Sequence, residues 1–138
     1  MGRVLALDYG RKRTGIAVTD ELKIIATGLT TLHSKDLLEF IKKYIKEEDV
    51  ECIVVGEPKD MQNMPSDASR YIEPFVRSLR KKFPQMKIER YDERFTSKMA
   101  HQTMLDGGLN KTKRRDKALV DKISATLILQ SYLLSKTL

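Results

Sequence analysis

The chain has 138 residues, with 26 Lys and Arg against 19 Asp and Glu, which gives a net charge of +7. This length predicts one domain, and no apolar run approaches the roughly 20 residues that span a membrane. The one cysteine, Cys52, sits in an apolar run typical of a core, and the start of the chain lacks a signal-peptide pattern. These features exclude membrane and disulfide-rich secreted classes. They predict a cytoplasmic protein with a polyanionic partner such as nucleic acid.

A hairpin is predicted at the start of the chain. The apolar run Val4–Leu7 is short enough for a buried strand, and Ile16–Val18 is predicted to be its returning partner across the turn Arg11–Thr14. Asp8 ends the first strand, where a carboxylate either bonds the backbone of a turn or points into an open cleft and holds a cation. The hairpin therefore supplies the first candidate functional residue.

Further along, helices alternate with strands. The patterns first predict a strand at 23–32, in which Gly28 marks a bulge or an end, and a helix at 35–48 capped by Ser34. There follow a strand at 51–56, a loop at 57–65, a helix at 66–83, a strand at 86–92, a short helix from 96 or 97 to 107, and a last helix at 116–135. Strands separated by helices imply parallel crossovers. We therefore expect an α/β fold, a mixed sheet with helices on both faces. Pro74 either kinks its helix or marks its first turn.

Acidic residues are predicted to meet at one edge of this sheet. The first and fifth strands are parallel and end at Asp8 and at the pair Asp92–Glu93. Asp121 heads an apolar stripe of the last helix, so it faces the sheet rather than solvent. Converging carboxylates repel one another unless they bind a cation, and all-oxygen ligands suit Mg²⁺ or Mn²⁺. The alternative is that each acid pairs with a nearby Arg or Lys.

Basic residues flank these acids in the sequence and are candidate contacts to the phosphates of a nucleic acid. Arg11 and Arg13 follow Asp8, and Arg94 follows Glu93, although Arg94 could equally form a surface ion pair. Before the last helix lie Lys111, Lys113, Arg114 and Arg115. Contacts of this kind position a nucleic acid without reading its sequence.

Three motifs resemble the YqgF (RuvX) family over essentially the whole chain. They are Leu7-Asp8-Tyr9-Gly10 with Gly15-Ile16-Ala17-Val18, then Asp92-Glu93-Arg94-Phe95-Thr96-Ser97, then Val120-Asp121 followed by Ala125 and Leu129-Gln130-Ser131-Tyr132. The resemblance implies an RNase H-like, five-stranded mixed sheet with three antiparallel strands and two further parallel strands. It also implies a metal-dependent nuclease with Asp8, Glu93 and Asp121 as catalytic acids and metal ligands.

The resemblance leaves the substrate open between the 5′ end of pre-16S rRNA and a DNA Holliday junction, which a homodimer would cut symmetrically. A competing hypothesis is a nucleic-acid-binding module whose acids perform no chemistry. A phosphotransferase of the actin or sugar-kinase type would need a second lobe, which 138 residues do not supply. The segment Gly56-Glu57-Pro58 departs from the Gly-Leu-Pro usual in the family. Glu57 is thus a candidate fourth ligand, as is Asp92.

Overall fold

The computed structural model describes residues 2–57, 69–92 and 116–137 and shows one five-stranded sheet. The strands are β1 (Arg3–Tyr9), β2 (Arg13–Thr19), β3 (Ala26–His33), β4 (Val50–Glu57) and β5 (Lys87–Asp92). Their order across the sheet is β3-β2-β1-β4-β5. β2 is antiparallel to both β1 and β3, whereas β4 is parallel to both β1 and β5. The predicted mixed sheet is confirmed.

Helices cover both faces of the sheet, as predicted. α1 (Leu37–Glu47) and α2 (Ser69–Lys82) pack on one face, and α3 (Lys117–Thr137) packs on the other. The first face buries Leu5, Leu7 and Ile53 of the strands against large aliphatic residues of α1 and α2. Among the helices that the structure describes, none is long and apolar enough to cross a membrane.

The third strand begins three residues later than predicted, at Ala26 rather than Lys23. The Asp20 carboxylate accepts hydrogen bonds from the backbone N–H groups of Ile24 and Ile25, at 2.7 and 2.8 Å, so these residues form a turn. Lys23 within that turn has a φ of 60°. The predicted bulge is confirmed, because the β2–β3 register shifts between Ile16 and Ala17, where Ala17 faces Gly28.

The predicted helix cap at Ser34 is wrong. A 3-10 turn, Ser34–Asp36, precedes α1, and the His33 ring nitrogen Nδ1 accepts from the Lys35 backbone N–H at 3.3 Å. The Ser34 hydroxyl instead donates to the carbonyl of Gly10 and lies 2.9 Å from the Thr14 hydroxyl. Ser34 therefore ties the β1–β2 hairpin to the start of the helical layer.

The second predicted helix is confirmed from Ser69 to Lys82, and Pro74 lies inside it rather than in its first turn. Its predicted apolar stripe is buried, with Ile72, Val76 and Leu79 at most 2% exposed. Cys52 is buried and unpaired, as predicted for a core residue. The predicted loop at 57–65 begins one residue too early, because Glu57 is the last residue of β4. Its residues 58–65 and the predicted short helix ending at Gly107 lie outside the described residues.

Candidate active site at one edge of the sheet

Strand alternation places Asp8 on the face that α3 covers. Val4 and Ala6 of β1 pack against α3, and side chains two residues apart along a strand share a face. Asp8 is the next member of this series, after the apolar positions end. The directly opposite residue on β2 is Gly15. Asp8 therefore stands beside a position that has no side chain.

Gly15 lets α3 approach this end of the sheet very closely. A Cβ atom at Gly15 would lie 2.0 Å from the carbonyl oxygen of Asp121, a distance that two such atoms cannot share. Only glycine therefore fits where the helix backbone rests on β2. Because Asp8 lies across from Gly15, this approach brings Asp121 next to Asp8, as the sequence predicted.

Burial and the charge of Asp121 change the acidity of Asp8. Desolvation raises the pKa of the Asp8 carboxyl, the nearby Asp121 carboxylate raises it further, and together they bring it to about 7. Asp8 takes part in no ion pair within the described ranges. A buried carboxylate beside a second carboxylate is costly to ionise without a cation. This electrostatic environment favours the uptake of a positive ion.

Arg13, predicted as a phosphate contact, lies against Asp121. The Arg13 Nε atom donates to Asp121 Oδ2 at 2.8 Å, and the two side chains are 39% and 22% exposed. The alternative that the acids pair with basic residues therefore holds for Asp121 but not for Asp8 within the described part of the chain. Gly15 and Arg13 are two residues apart on β2, so the pair forms on the α3 face.

Arg11 lies at the turn of the hairpin and contacts a residue that the sequence analysis did not single out. Its guanidinium carbon is 5.0 Å from the centre of the Tyr71 ring, and its Nη1 atom is 3.4 Å from the Tyr71 hydroxyl. Tyr71 is 42% exposed. Beside them, Tyr9 stacks on Phe75 with ring centres 4.2 Å apart, so Tyr9 belongs to the core. Nothing in the spacing of Tyr71 sets it apart from a solvent-facing helix residue.

Glu57 and Asp92, the two candidate fourth ligands, lie opposite each other at the ends of β4 and β5. In β4, Ile53 and Val55 pack on the α1–α2 face, and alternation places Glu57 on that same face. Because paired residues of parallel strands point to the same side, Glu57 and Asp92 both lie on the face opposite α3. Neither shares the face of Asp8.

The remaining predicted site residues lie outside the described residues: Glu93, Arg94, Lys111, Lys113, Arg114 and Arg115. Within residues 2–57, 69–92 and 116–137, no group of three His, Cys, Asp or Glu side chains is close enough to hold a metal ion. Among the described residues, Asp8 and Asp121 are the predicted acids that come together at this edge of the sheet. Their carboxylate oxygens are the donors that hard divalent cations prefer. The donors that are described fit such an ion but form an incomplete set.

Comparisons with known proteins agree with the motifs. A family model described as "RuvX: Holliday junction resolvase" matches residues 2–135. A protein of Christiangramia forsetii, named "Putative pre-16S rRNA nuclease", is 62% identical over 133 residues, which are 96% of this chain and 98% of that protein. A protein of the same name from Phocaeicola vulgatus is 62% identical over 136 residues, or 99% of this chain and 98% of that protein.

A solved structure shares the architecture at low sequence identity. It is titled "T. thermophilus RuvC in complex with Holliday junction substrate" and superposes with a TM-score of 0.61 at 13% identity. The match covers 99% of this chain and 96% of that chain. This likeness concerns the fold, and it confirms the RNase H-like sheet that the motifs predicted.

Proposed function

The chain belongs to the RuvX family and is a nuclease, and from this premise we propose that it hydrolyses a phosphodiester bond near the 5′ end of pre-16S rRNA. The two curated relatives above are named for that substrate. We further propose that residues 1–138 act as one nuclease domain and that the protein works in the cytoplasm. The observation that carries the proposal is the approach of Asp121 to Asp8 across Gly15.

We assign Asp8, Glu93 and Asp121 as the catalytic acids. Support for choosing Glu93 rather than Asp92 comes from the alternation of side chains along β5. Tyr91 packs edge-on against Tyr132 of α3, with ring centres 6.3 Å apart. Arg90, by contrast, bonds Glu73 of α2 at 2.8 Å.

The two faces thus alternate along β5, and Asp92 falls to the α2 side. We therefore propose Glu93 as the acid of this pair that serves the site, as the family motif implies. This reasoning supports the choice of Glu93 over Asp92, and it leaves both Asp92 and Glu57 out of the set of metal ligands.

Membership of a RuvC-like nuclease family implies a divalent metal ion in general terms, and we propose Mg²⁺ or Mn²⁺, held by Asp8, Glu93 and Asp121. Such an ion, when bound, polarises the scissile phosphate and makes a bound water a better nucleophile. The chain itself supplies a partly buried carboxyl group at Asp8, whose pKa of about 7 favours ionisation when a cation binds. The apolar side chains of Val4 and Ala6 lie behind that carboxyl group and exclude water from one side.

Basic residues around the acids are proposed to hold the nucleic-acid backbone. Arg11 is exposed at the hairpin turn, three residues after Asp8 in the sequence, and Arg13 lies on Asp121. Arg94, Lys111, Lys113, Arg114 and Arg115 are assigned the same role on sequence position alone. The net charge of +7 favours this assignment, because phosphate contacts supply most of the affinity for nucleic acid in a sequence-independent way.

The test is a cleavage assay on a pre-rRNA leader and on a four-way DNA junction, with Mg²⁺ or Mn²⁺. Asp8→Asn should lower cleavage by about 10³-fold or more, because it removes a charged ligand worth several kcal/mol to the transition state. Asp49→Asn is the matched control, since Asp49 is exposed just before β4 and, among the described residues, bonds only through its backbone carbonyl. Undiminished cleavage by Asp8→Asn would remove Asp8 from the mechanism.

The two substrates of this assay separate the remaining hypotheses. Cleavage of the junction but not of the leader would favour the resolvase function described for the family model. A symmetric cut would require a homodimer. Absence of both cleavage and metal binding would favour a non-catalytic binding module.

A further inference from the structure

Arg13 makes a contact that the proposed catalysis does not yet explain. It joins the beginning of β2 to α3 through one bond, Nε to Asp121 Oδ2 at 2.8 Å, across 108 residues of sequence. Both side chains are mostly buried. A charge-assisted bond of this length between two packed elements differs from an ordinary surface ion pair, whose side chains move freely in water.

The backbone on both sides of Arg13 is held in place by Ser34. The Ser34 N–H donates to the carbonyl of Lys12 at 2.9 Å, and the Ser34 hydroxyl lies 2.9 Å from the hydroxyl of the buried Thr14. On the other side of the bond, Asp121 is fixed because its backbone rests on Gly15. Both partners therefore start from rigid positions, which is the arrangement that orients a functional group precisely.

The bond uses only part of each group. Among the described residues, the Nη1 and Nη2 atoms of Arg13 make no hydrogen bond, and the same is true of the second oxygen, Oδ1, of Asp121. Arg13 can therefore hold one carboxylate oxygen while the other remains available to a cation. The outer edge of a guanidinium carries two parallel N–H donors that match two phosphate oxygens.

We propose that Arg13 is a positioning residue that orients the Asp121 carboxylate toward the metal through Nε and binds a phosphate of the substrate through its Nη edge. The inference rests on the proposed function, because it assigns Asp121 as a metal ligand. Arg13 then links the place of the ion to the place of the phosphate.

The first test measures metal binding without any nucleic acid, by calorimetric titration of Mn²⁺ into the full chain. Arg13→Gln should weaken Mn²⁺ binding by about 10- to 100-fold, which is typical when a residue that orients a metal ligand is lost. Simple electrostatics predicts the opposite sign, because removing a positive charge favours a cation. Lys12→Gln removes the same charge from the neighbouring exposed residue and should not weaken binding.

The second test separates the two roles of the guanidinium. Arg13→Lys keeps the charge and can still reach Asp121 with one donor, so it should recover most of the Mn²⁺ affinity lost in Arg13→Gln. It offers no second donor edge, so its affinity for a short single-stranded RNA, measured by anisotropy in EDTA, should stay below that of wild type. Melting curves of the metal-free variants show that each one is folded.

Several results would overturn the inference. Unchanged or tighter Mn²⁺ binding by Arg13→Gln would show that Arg13 does not orient Asp121, and full recovery of RNA affinity by Arg13→Lys would remove its Nη edge from phosphate binding. Failure of the wild type to bind Mn²⁺, or wild-type binding by Asp8→Asn, would instead refute the proposed metal site. The failure of the inference and that of the proposed function are therefore distinguishable.

Discussion

The two faces of the sheet are built from side chains of different size. Under α1 and α2 the strands contribute large residues such as Leu5, Leu7 and Ile53. Under α3 they contribute mostly small ones, including Ala6 and Ala17. Large residues fill space and stabilise the fold, whereas small residues set how deeply a helix can approach. Asp8 lies on the second face and Asp121 on the helix that covers it, so we infer that the α1–α2 face serves stability and the α3 face serves geometry.

The sharpest test of this comparison is the pH dependence of stability, which should come largely from one residue on the α3 face. The folded protein holds the Asp8 proton up to a pH of about 7, whereas the unfolded chain releases it near 3.8. Between these values the native state binds more protons, so the stability of the metal-free protein falls as pH rises. Asp8→Asn should therefore raise the free energy of unfolding at pH 8 by on the order of 4 kcal/mol.

Denaturant titrations of both proteins at pH 5 and pH 8 would check this expectation. The gain from Asp8→Asn should be less than half as large at pH 5, where the unfolded chain has lost the proton but the folded protein still holds it and only part of the window between 3.8 and about 7 has been crossed. Adding Mn²⁺ should stabilise the wild type at pH 8 and leave the variant unchanged, because only the wild type retains the ligand. Equal gains at both pH values would contradict the assignment of a perturbed Asp8.

A truncation on the opposite face should affect stability alone. Leu79 of α2 is fully buried in the α1–α2 layer. Leu79→Ala should lower the free energy of unfolding by about 2–5 kcal/mol through lost burial and a residual cavity. Cleavage per folded molecule, measured well below the melting temperature, should match wild type. A selective loss of activity in the folded variant would show that the two faces are not independent.

Adding a methyl group on the α3 face should, in contrast, change the metal site as well as the stability of the fold. Gly15→Ala forces α3 away from β2, since its Cβ would meet backbone rather than a flexible side chain. Overpacking of this kind costs about 1–3 kcal/mol. Mn²⁺ affinity should fall as well, because Asp121 moves with the helix.

The matched control for this change is Gly28→Ala on β3. There the added methyl would meet the Lys122 Cγ atom at 2.8 Å and the Thr126 hydroxyl at 3.0 Å, which are side-chain atoms that shift more readily than the backbone met at Gly15. Calorimetric titration of the two alanine variants should therefore show a loss of Mn²⁺ affinity for Gly15→Ala only. Equal losses would mean that the helix position does not set the geometry of the site.

The smallest expected effect concerns the exposed end of the hairpin. Arg11→Gln should leave stability nearly unchanged, because its contact with Tyr71 is exposed. If Arg11 binds one phosphate, the slope of log affinity for RNA against log salt should decrease in magnitude by about 1. Glu21→Gln, an exposed change at the far end of β2, is a control in which the slope should stay constant.

Much of the fold follows from patterns that local physics controls. Period-two and period-3.6 runs place the strands and helices, and the bulge at Gly28 follows from a glycine in a strand. The cap at Ser34 was wrong because its hydroxyl bonds the hairpin, a contact between distant segments that no local rule contains. The late start of β3 similarly reflects the Asp20 side chain bonding a turn.

The candidate site was predictable in part. Asp8 and Asp121 could be placed together, because one ends a strand and the other heads an apolar helical stripe. The bond between Arg13 and Asp121 could not be foreseen, since it depends on how far α3 descends onto Gly15. The contact between Tyr71 and Arg11 could not be foreseen either, because it depends on how the second helix packs against the hairpin.

The placement of Asp121 on the last helix has a consequence for synthesis on the ribosome. β1 carries Asp8 and leaves the exit tunnel before α3, which carries Asp121. A nascent chain that stops before Asp121 holds only one member of the described pair. We expect cutting activity to arise only after α3 has been synthesised, so that a shorter nascent chain does not cut the RNA of the ribosome that makes it.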